Sequence, residues 1–168
     1  NMTYPHIQPK LYKKGVEWLN NKITTVYMIR HARPDYTITD DFSRPLLPDG
    51  IEASQRLVSQ FRDLRIDAAY SSPYLRSVHT ITPLCSDKNL EIITDNDFRE
   101  RVVTKEWIPD YEFKDYGKKQ WEDFDYSLRD GESLRQVQKR NISALNRVLE
   151  DNKNKTVIIG THGTALST

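Results

Sequence analysis

Four short apolar runs punctuate the chain, and none alternates cleanly between apolar and polar residues. Thr25-Val26-Tyr27-Met28-Ile29 is rich in β-formers, and Ala68-Ala69-Tyr70-Ser71 is weaker. Glu91-Ile92-Ile93-Thr94 and Thr156-Val157-Ile158-Ile159 are clear. Runs this short with so little alternation suit strands covered on both faces. Helical periodicity lies between them. After Pro48-Asp49-Gly50, residues Leu57, Val58, Phe61 and Leu64 share one helical face. Ser72-Pro73 reads as a helix start, with Ser72 as the cap and Pro73 at the first helical position. Leu75, Val78 and Cys85 lie on its buried side, and Pro83 must kink or end it. Ser133 and Gln136 form a capping-box pattern. It opens a helix whose apolar face holds Leu134, Val137, Leu145, Val148 and Leu149.

Strands alternating with helices predict an α/β fold: a three-layer sandwich with a mostly parallel central sheet and helices on both faces. Residues 1–22, polar and aromatic with two prolines, read as an N-terminal arm ahead of one domain over 23–168. The stretch 102–129 fits neither period and reads as an insert. Its aromatics, among them Trp107, Tyr111, Phe113, Tyr116 and Trp121, sit among many charges. They suit a lid over a pocket, or a second small core.

Composition narrows the function classes. The 168 residues carry 25 basic and 24 acidic side chains, for a net charge of +1. That balance gives no electrostatic case for nucleic acid or membrane as a partner. No apolar run approaches the ~20 residues of a spanning helix, and residues 1–14 lack the apolar segment of a signal peptide. Met2 reads as the start residue, with Asn1 added ahead of it. The single cysteine, Cys85, excludes an internal disulfide and fits a reducing compartment, hence a cytoplasmic location.

In open α/β sheets, ligands bind outside the carboxyl ends of the strands. Arg30-His31-Ala32-Arg33 follows the first run; Ser71-Ser72-Pro73, with Arg76, follows the second. Phe98-Arg99-Glu100 comes a few residues after the third, and Gly160-Thr161-His162-Gly163 follows the fourth. Two histidines, several arginines and one acid make a site for an anion that also undergoes proton transfer. Phosphate fits, because guanidinium forks match its oxygens and stay charged at any working pH. A neutral imidazole can attack phosphorus while cations offset the charge on the transferring group. A carboxylic acid is then needed to protonate the departing alkoxide.

These segments resemble the histidine phosphatase superfamily, also called the phosphoglycerate mutase-like family. The family's Arg-His-Gly signature appears as Arg30-His31-Ala32, and its Ser-Ser-Pro-x-x-Arg segment as Ser71-Ser72-Pro73-Tyr74-Leu75-Arg76. Phe98-Arg99-Glu100-Arg101, Gly131-Glu132-Ser133 and Thr161-His162-Gly163 match in order, and Arg44-Pro45-Leu46 with Gly50 resembles the loop before the first helix. The resemblance implies that His31 is a nucleophile that becomes phosphohistidine. It makes Arg30, Arg76 and His162 the holders of the phosphoryl oxygens, and Glu100 the acid and then the base. It implies no metal and no cofactor. The expected activity is a metal-independent phosphomonoester phosphatase acting on a small phosphorylated metabolite or a phosphoprotein.

Three departures from the family pattern stand out. Ala32 replaces a glycine. The phosphate-touching Thr and Asn that often follow are replaced by Arg33-Pro34-Asp35-Tyr36-Thr37, where Arg33 takes part of the role. The family continues with a helix and more sheet after the second histidine, so a C-terminal part is expected beyond Thr168. Three other readings compete. One is a mutase passing phosphate between hydroxyls. Another is an inactive phosphate- or protein-binding module, favoured only by Ala32. The third is a metallohydrolase using His31, Asp35, Glu100 and His162, which the paired arginines oppose.

Overall fold

The computed structural model describes residues 23–104 and 108–168. The N-terminal arm proposed for 1–22, and Trp107 within the insert, lie outside the described residues. Four strands, β1 (Thr25–Arg30), β2 (Ala68–Ser71), β3 (Ile92–Thr94) and β4 (Thr156–Thr161), form one parallel sheet in the order β1-β4-β2-β3. The helices are α1 (Pro48–Gln60), α2 (Leu75–Asp87), α3 (Asp110–Glu122), α4 (Leu134–Asp151) and the short α5 (Gly163–Ser167).

The expected three layers follow from the two faces of β4. Successive side chains of a strand point to opposite faces. Ile158 packs with Ile81, Leu84 and Cys85 of α2, and Leu57 of α1 borders the same cluster. Val157 and Ile159 pack on the other side with Ala144 and Val148 of α4 and with Phe98. Each such buried aliphatic contributes about 1.5–3 kcal/mol of gross burial energy. Because both faces are covered, β4 needs apolar residues at consecutive positions, and its sequence supplies them.

The two edge strands depart from that expectation. β1 is an edge, with Tyr27 36% and Met28 37% exposed. β3, at the opposite edge, leaves Ile93 half exposed. An apolar run therefore marks a strand without telling which of its faces is covered. Two boundaries also shift. α2 starts at Leu75, with Tyr74 in the cap position, because the Ser72 hydroxyl is turned to His162 at 2.7 Å and to the Tyr74 N–H at 3.2 Å. α2 also continues through Pro83 to Asp87 rather than ending there. Phe61 and Leu64 fall just beyond α1 yet still pack on the core.

The capping box at α4 is formed in full: the Ser133 side chain accepts from the Gln136 N–H, and the Gln136 side chain accepts from the Ser133 N–H. The stretch 102–129 contains α3, which buries Tyr116 and Gln120 completely. Gln120 donates to the carbonyls of Tyr126 and Glu132 and accepts from Arg101. A helix anchored by a buried amide carries little apolar periodicity, which is why no helical period shows there. Gly131 packs so tightly on the Val103 carbonyl that a side chain has no room. Among the described residues, no helix is long and apolar enough to cross a membrane.

Candidate active site

The site is built by strand register. Arg30 of β1 pairs with Thr161 of β4, so the next residues, His31 and His162, leave the sheet side by side. The His31 N–H donates to the Thr161 carbonyl at 2.9 Å, extending the ladder one step. The two imidazole centroids are 5.2 Å apart. Ser71 pairs with Gly160 on the other side of β4, which brings Ser72 to His162 and aims the start of α2 at the same place.

A cavity of about 580 Å³ opens over these strand ends. Arg30, His31, Arg76 and Glu100 are among the residues that line it. Tyr36, Asp41, Arg44, Tyr74, Arg101 and Phe113 contribute to its walls. His162, its ring 5.2 Å from that of His31, is fully buried and is not on the cavity surface.

His31 Nδ1 lies 2.8 Å from the Ala32 carbonyl oxygen. A carbonyl only accepts, so Nδ1 carries the proton and Nε2 keeps its lone pair. Burial, then the charges of Arg76 and Arg30, push the imidazole below its ordinary range, against the Ala32 bond and the Asp41 charge. The ring is therefore neutral near neutrality. His162 is pushed down to about 2, chiefly by burial, with the charges of Arg76, Arg140 and Arg30 and the neighbouring His31 adding to it. Its Nδ1 has no hydrogen-bond partner among the described residues.

Arg76 is almost fully buried, its guanidinium stacked 5.0 Å from the Tyr74 ring centre. It donates to the Asp41 carbonyl at 2.6 Å and lies 3.1 Å from the Asp41 carboxylate. Asp41 also pairs with Arg44 at 2.6 Å. Arg30 packs its guanidinium over Gly163, where a Cβ would come within 3.2 Å of Cζ. Glycine after the second histidine thus makes room for the arginine before the first. Glu100 accepts from the Arg101 N–H at 2.9 Å and the Thr164 N–H at 3.2 Å, so both carboxyl oxygens are held.

The structure thus brings together Arg30, His31, Arg76, Glu100 and His162. Arg33 is not brought with them. It points into solvent and pairs with Asp49 of α1 at 3.0 Å, because the backbone after Ala32 turns away to bond with the Asp35–Leu47 loop. Asp35 bonds to its own loop, to Thr37, and no group of three His, Cys, Asp or Glu residues suited to a metal occurs among the described residues. Asp41 and Tyr36 were not legible as site residues, since loop acids and aromatics are usually solvated. Arg44 carried a signal in the Arg44-Pro45-Leu46 segment.

The sequence profile of the histidine phosphatase superfamily (branch 1) matches residues 26–168. The chain belongs to this superfamily. Solved structures share the fold. YhfR of Bacillus stearothermophilus superposes with a TM-score of 0.73 at 23% identity, over 86% of this chain and 76% of that one. A mycobacterial glucosyl-3-phosphoglycerate phosphatase in complex with inorganic phosphate gives 0.71 at 17% identity, over 83% and 73%. The alpha-ribazole phosphatase of Shigella flexneri gives 0.70 at 20% identity, over 84% and 75%. No curated protein matches the sequence at a significant level.

Proposed function

We propose that residues 23–168 form a metal-independent phosphatase that hydrolyses phosphomonoesters of small metabolites through a phosphohistidine on His31. One observation carries this: a neutral imidazole with Nε2 unprotonated stands in a cavity walled by Arg30 and Arg76, with the Glu100 carboxyl in the same space. The chemistry of two solved relatives, which are phosphatases of small phosphorylated compounds by name, supports the substrate class. Arg30, Arg44, Arg76 and Arg101 around the cavity oppose a bound metal cation and favour an anionic ester.

In the first step the Nε2 lone pair attacks phosphorus and the ester P–O bond breaks. Glu100 gives its proton to the departing alkoxide. The Nδ1–H stays on the Ala32 carbonyl, whose dipole offsets the positive charge growing on the ring. Arg30 and Arg76, which line the cavity, hold the phosphoryl oxygens, while His162, buried with its Nε2 on the Ser72 hydroxyl, packs against the His31 ring. In the second step the Glu100 carboxylate takes a proton from water. The oxygen attacks phosphorus, the P–N bond breaks, and inorganic phosphate leaves with His31 neutral again.

A brief exposure to labelled phosphomonoester should give an acid-labile, base-stable phosphoenzyme, and His31→Ala should abolish both label and turnover. His79, exposed on α2, is the control. Its replacement by alanine should leave both within about twofold, the range of a surface change. Turnover in His31→Ala within tenfold of the parent would remove His31 from the chemistry.

A further inference from the structure

The loop that carries Glu100 has no regular secondary structure from Arg99 to Thr104. Its backbone polar groups are half-buried and lack ladder partners, so something else must satisfy them. Two side chains do so: Glu132, just ahead of the α4 cap, and Arg140, in the second turn of α4. Arg140 donates to the carbonyls of Asp97 (2.9 Å), Arg99 (2.7 Å) and Glu100 (3.1 Å). Its remaining donors meet Glu132 in a two-pronged pair, Nε to Oε1 and Nη2 to Oε2, each at 2.9 Å. Glu132 in turn accepts from the Val102 N–H at 2.9 Å and from Arg99 at 2.6 Å. The backbone is thus gripped on both sides of Glu100.

Burial alone would raise the Glu132 carboxyl. The bonds from Arg140 and the Val102 N–H, with the charges of Arg140 and Arg99, hold it below the ordinary range, so it is ionised wherever the enzyme works near neutrality. Neither residue lines the cavity, so neither reaches the substrate there directly.

We infer that Glu132 and Arg140 are positioning residues that fix the proton-donor loop, making α4 the strut against which Glu100 is aimed. This rests on the reading of Glu100 as the proton donor. Arg140→Lys keeps the charge but leaves three donors on a single nitrogen, which cannot span three carbonyls and a carboxylate. A misplacement of about 1 Å in a catalytic group costs about 10²-fold in rate. The cost should appear only where a proton must be delivered. An alkyl alcohol needs one as its bond to phosphorus breaks, whereas nitrophenolate leaves readily without it.

The test compares kcat on an alkyl phosphate and on p-nitrophenyl phosphate in Arg140→Lys, Glu132→Gln, Glu100→Gln and the double variant Arg140→Lys/Glu100→Gln. The expected result is an alkyl phosphate loss of about 10- to 100-fold in either positioning variant. The nitrophenyl loss should stay below about threefold, and the double variant should be no worse than Glu100→Gln alone, as coupled residues require. Glu132→Gln is nearly isosteric and keeps the test running if Arg140→Lys does not fold. Equal losses on both esters, or losses that add to those of Glu100→Gln, would show a general structural role and overturn the pair. If Glu100→Gln itself fails to discriminate between the esters, the donor reading falls and the pair's purpose falls with it.

Discussion

Arg76 is the residue where geometry speaks most directly about affinity. Its guanidinium is buried, stacked on Tyr74 and already facing the carboxylate of Asp41. A planar fork in that slot can present parallel N–H donors to two oxygens of a phosphoryl group; an ammonium lacks that fixed geometry. Arg76→Lys should therefore lose about 10- to 100-fold in kcat/KM, since a charge-assisted bond is worth about 1.5–3 kcal/mol. Orthophosphate should inhibit the variant correspondingly less. Equal inhibition constants for parent and variant would place the phosphate elsewhere. The histidines, Arg30, Arg76 and Glu100 were legible in sequence because each lies at or shortly after the carboxyl end of a strand. Arg33 shared that signature and still points away. Position along the chain fixes where a backbone emerges, but the next turn decides where the side chain goes, and that turn is made by contacts with the distant loop at Pro45 and Leu47.

Local signals at the level of helices and strands were reliable where they were self-contained. The Ser133–Gln136 capping box involves four consecutive residues and forms as its spacing predicts. Ser133→Ala should cost about 0.5–2 kcal/mol, lowering Tm by about 2–4 °C per kcal/mol for a domain of this size. An unchanged melting temperature would mean that the cap adds nothing. Ser72-Pro73 carried a similar start signal and failed, because His162, 90 residues away, competes for the same hydroxyl. α3 gave no helical period, since its inward face is held by one tyrosine and one hydrogen-bonded glutamine rather than an aliphatic stripe. Elements specified by their own residues can be read from the chain. Elements specified by a polar partner elsewhere cannot.

For the whole molecule, the buried neutral histidine sets a pH dependence. His162 titrates at about 2 in the folded state, against 6.5 when exposed. Between those values the unfolded chain binds the proton and the folded chain does not. Stability is therefore full above about 6.5 and falls as the pH drops, by up to about 1.4 kcal/mol per unit from this group. His31, also lowered, acts in the same direction. The carboxyls of Glu132 and Asp95 are lowered from 4.5 and 3.8, so their contribution is lost only further down. The window from pH 6.5 to 5 thus isolates the histidines. Urea midpoints should fall across it in the parent and stay nearly level in a His162→Gln, His31→Gln double variant. A level profile in the parent would show that water or a proton reaches the ring.

The pairing of Arg30 with Thr161 joins the first strand of the described chain to the last. Such a contact joins positions far apart along the chain, and long-range contacts are the slow ones in folding. Slipping it by a single residue would turn every side chain of β1 to the opposite face and part the two imidazoles. The chemistry thus serves as a gauge of assembly. Secondary structure can return early during refolding, when α1, α2 and α4 have formed, but the proposed activity can return only when β1 and β4 have found each other in the right frame.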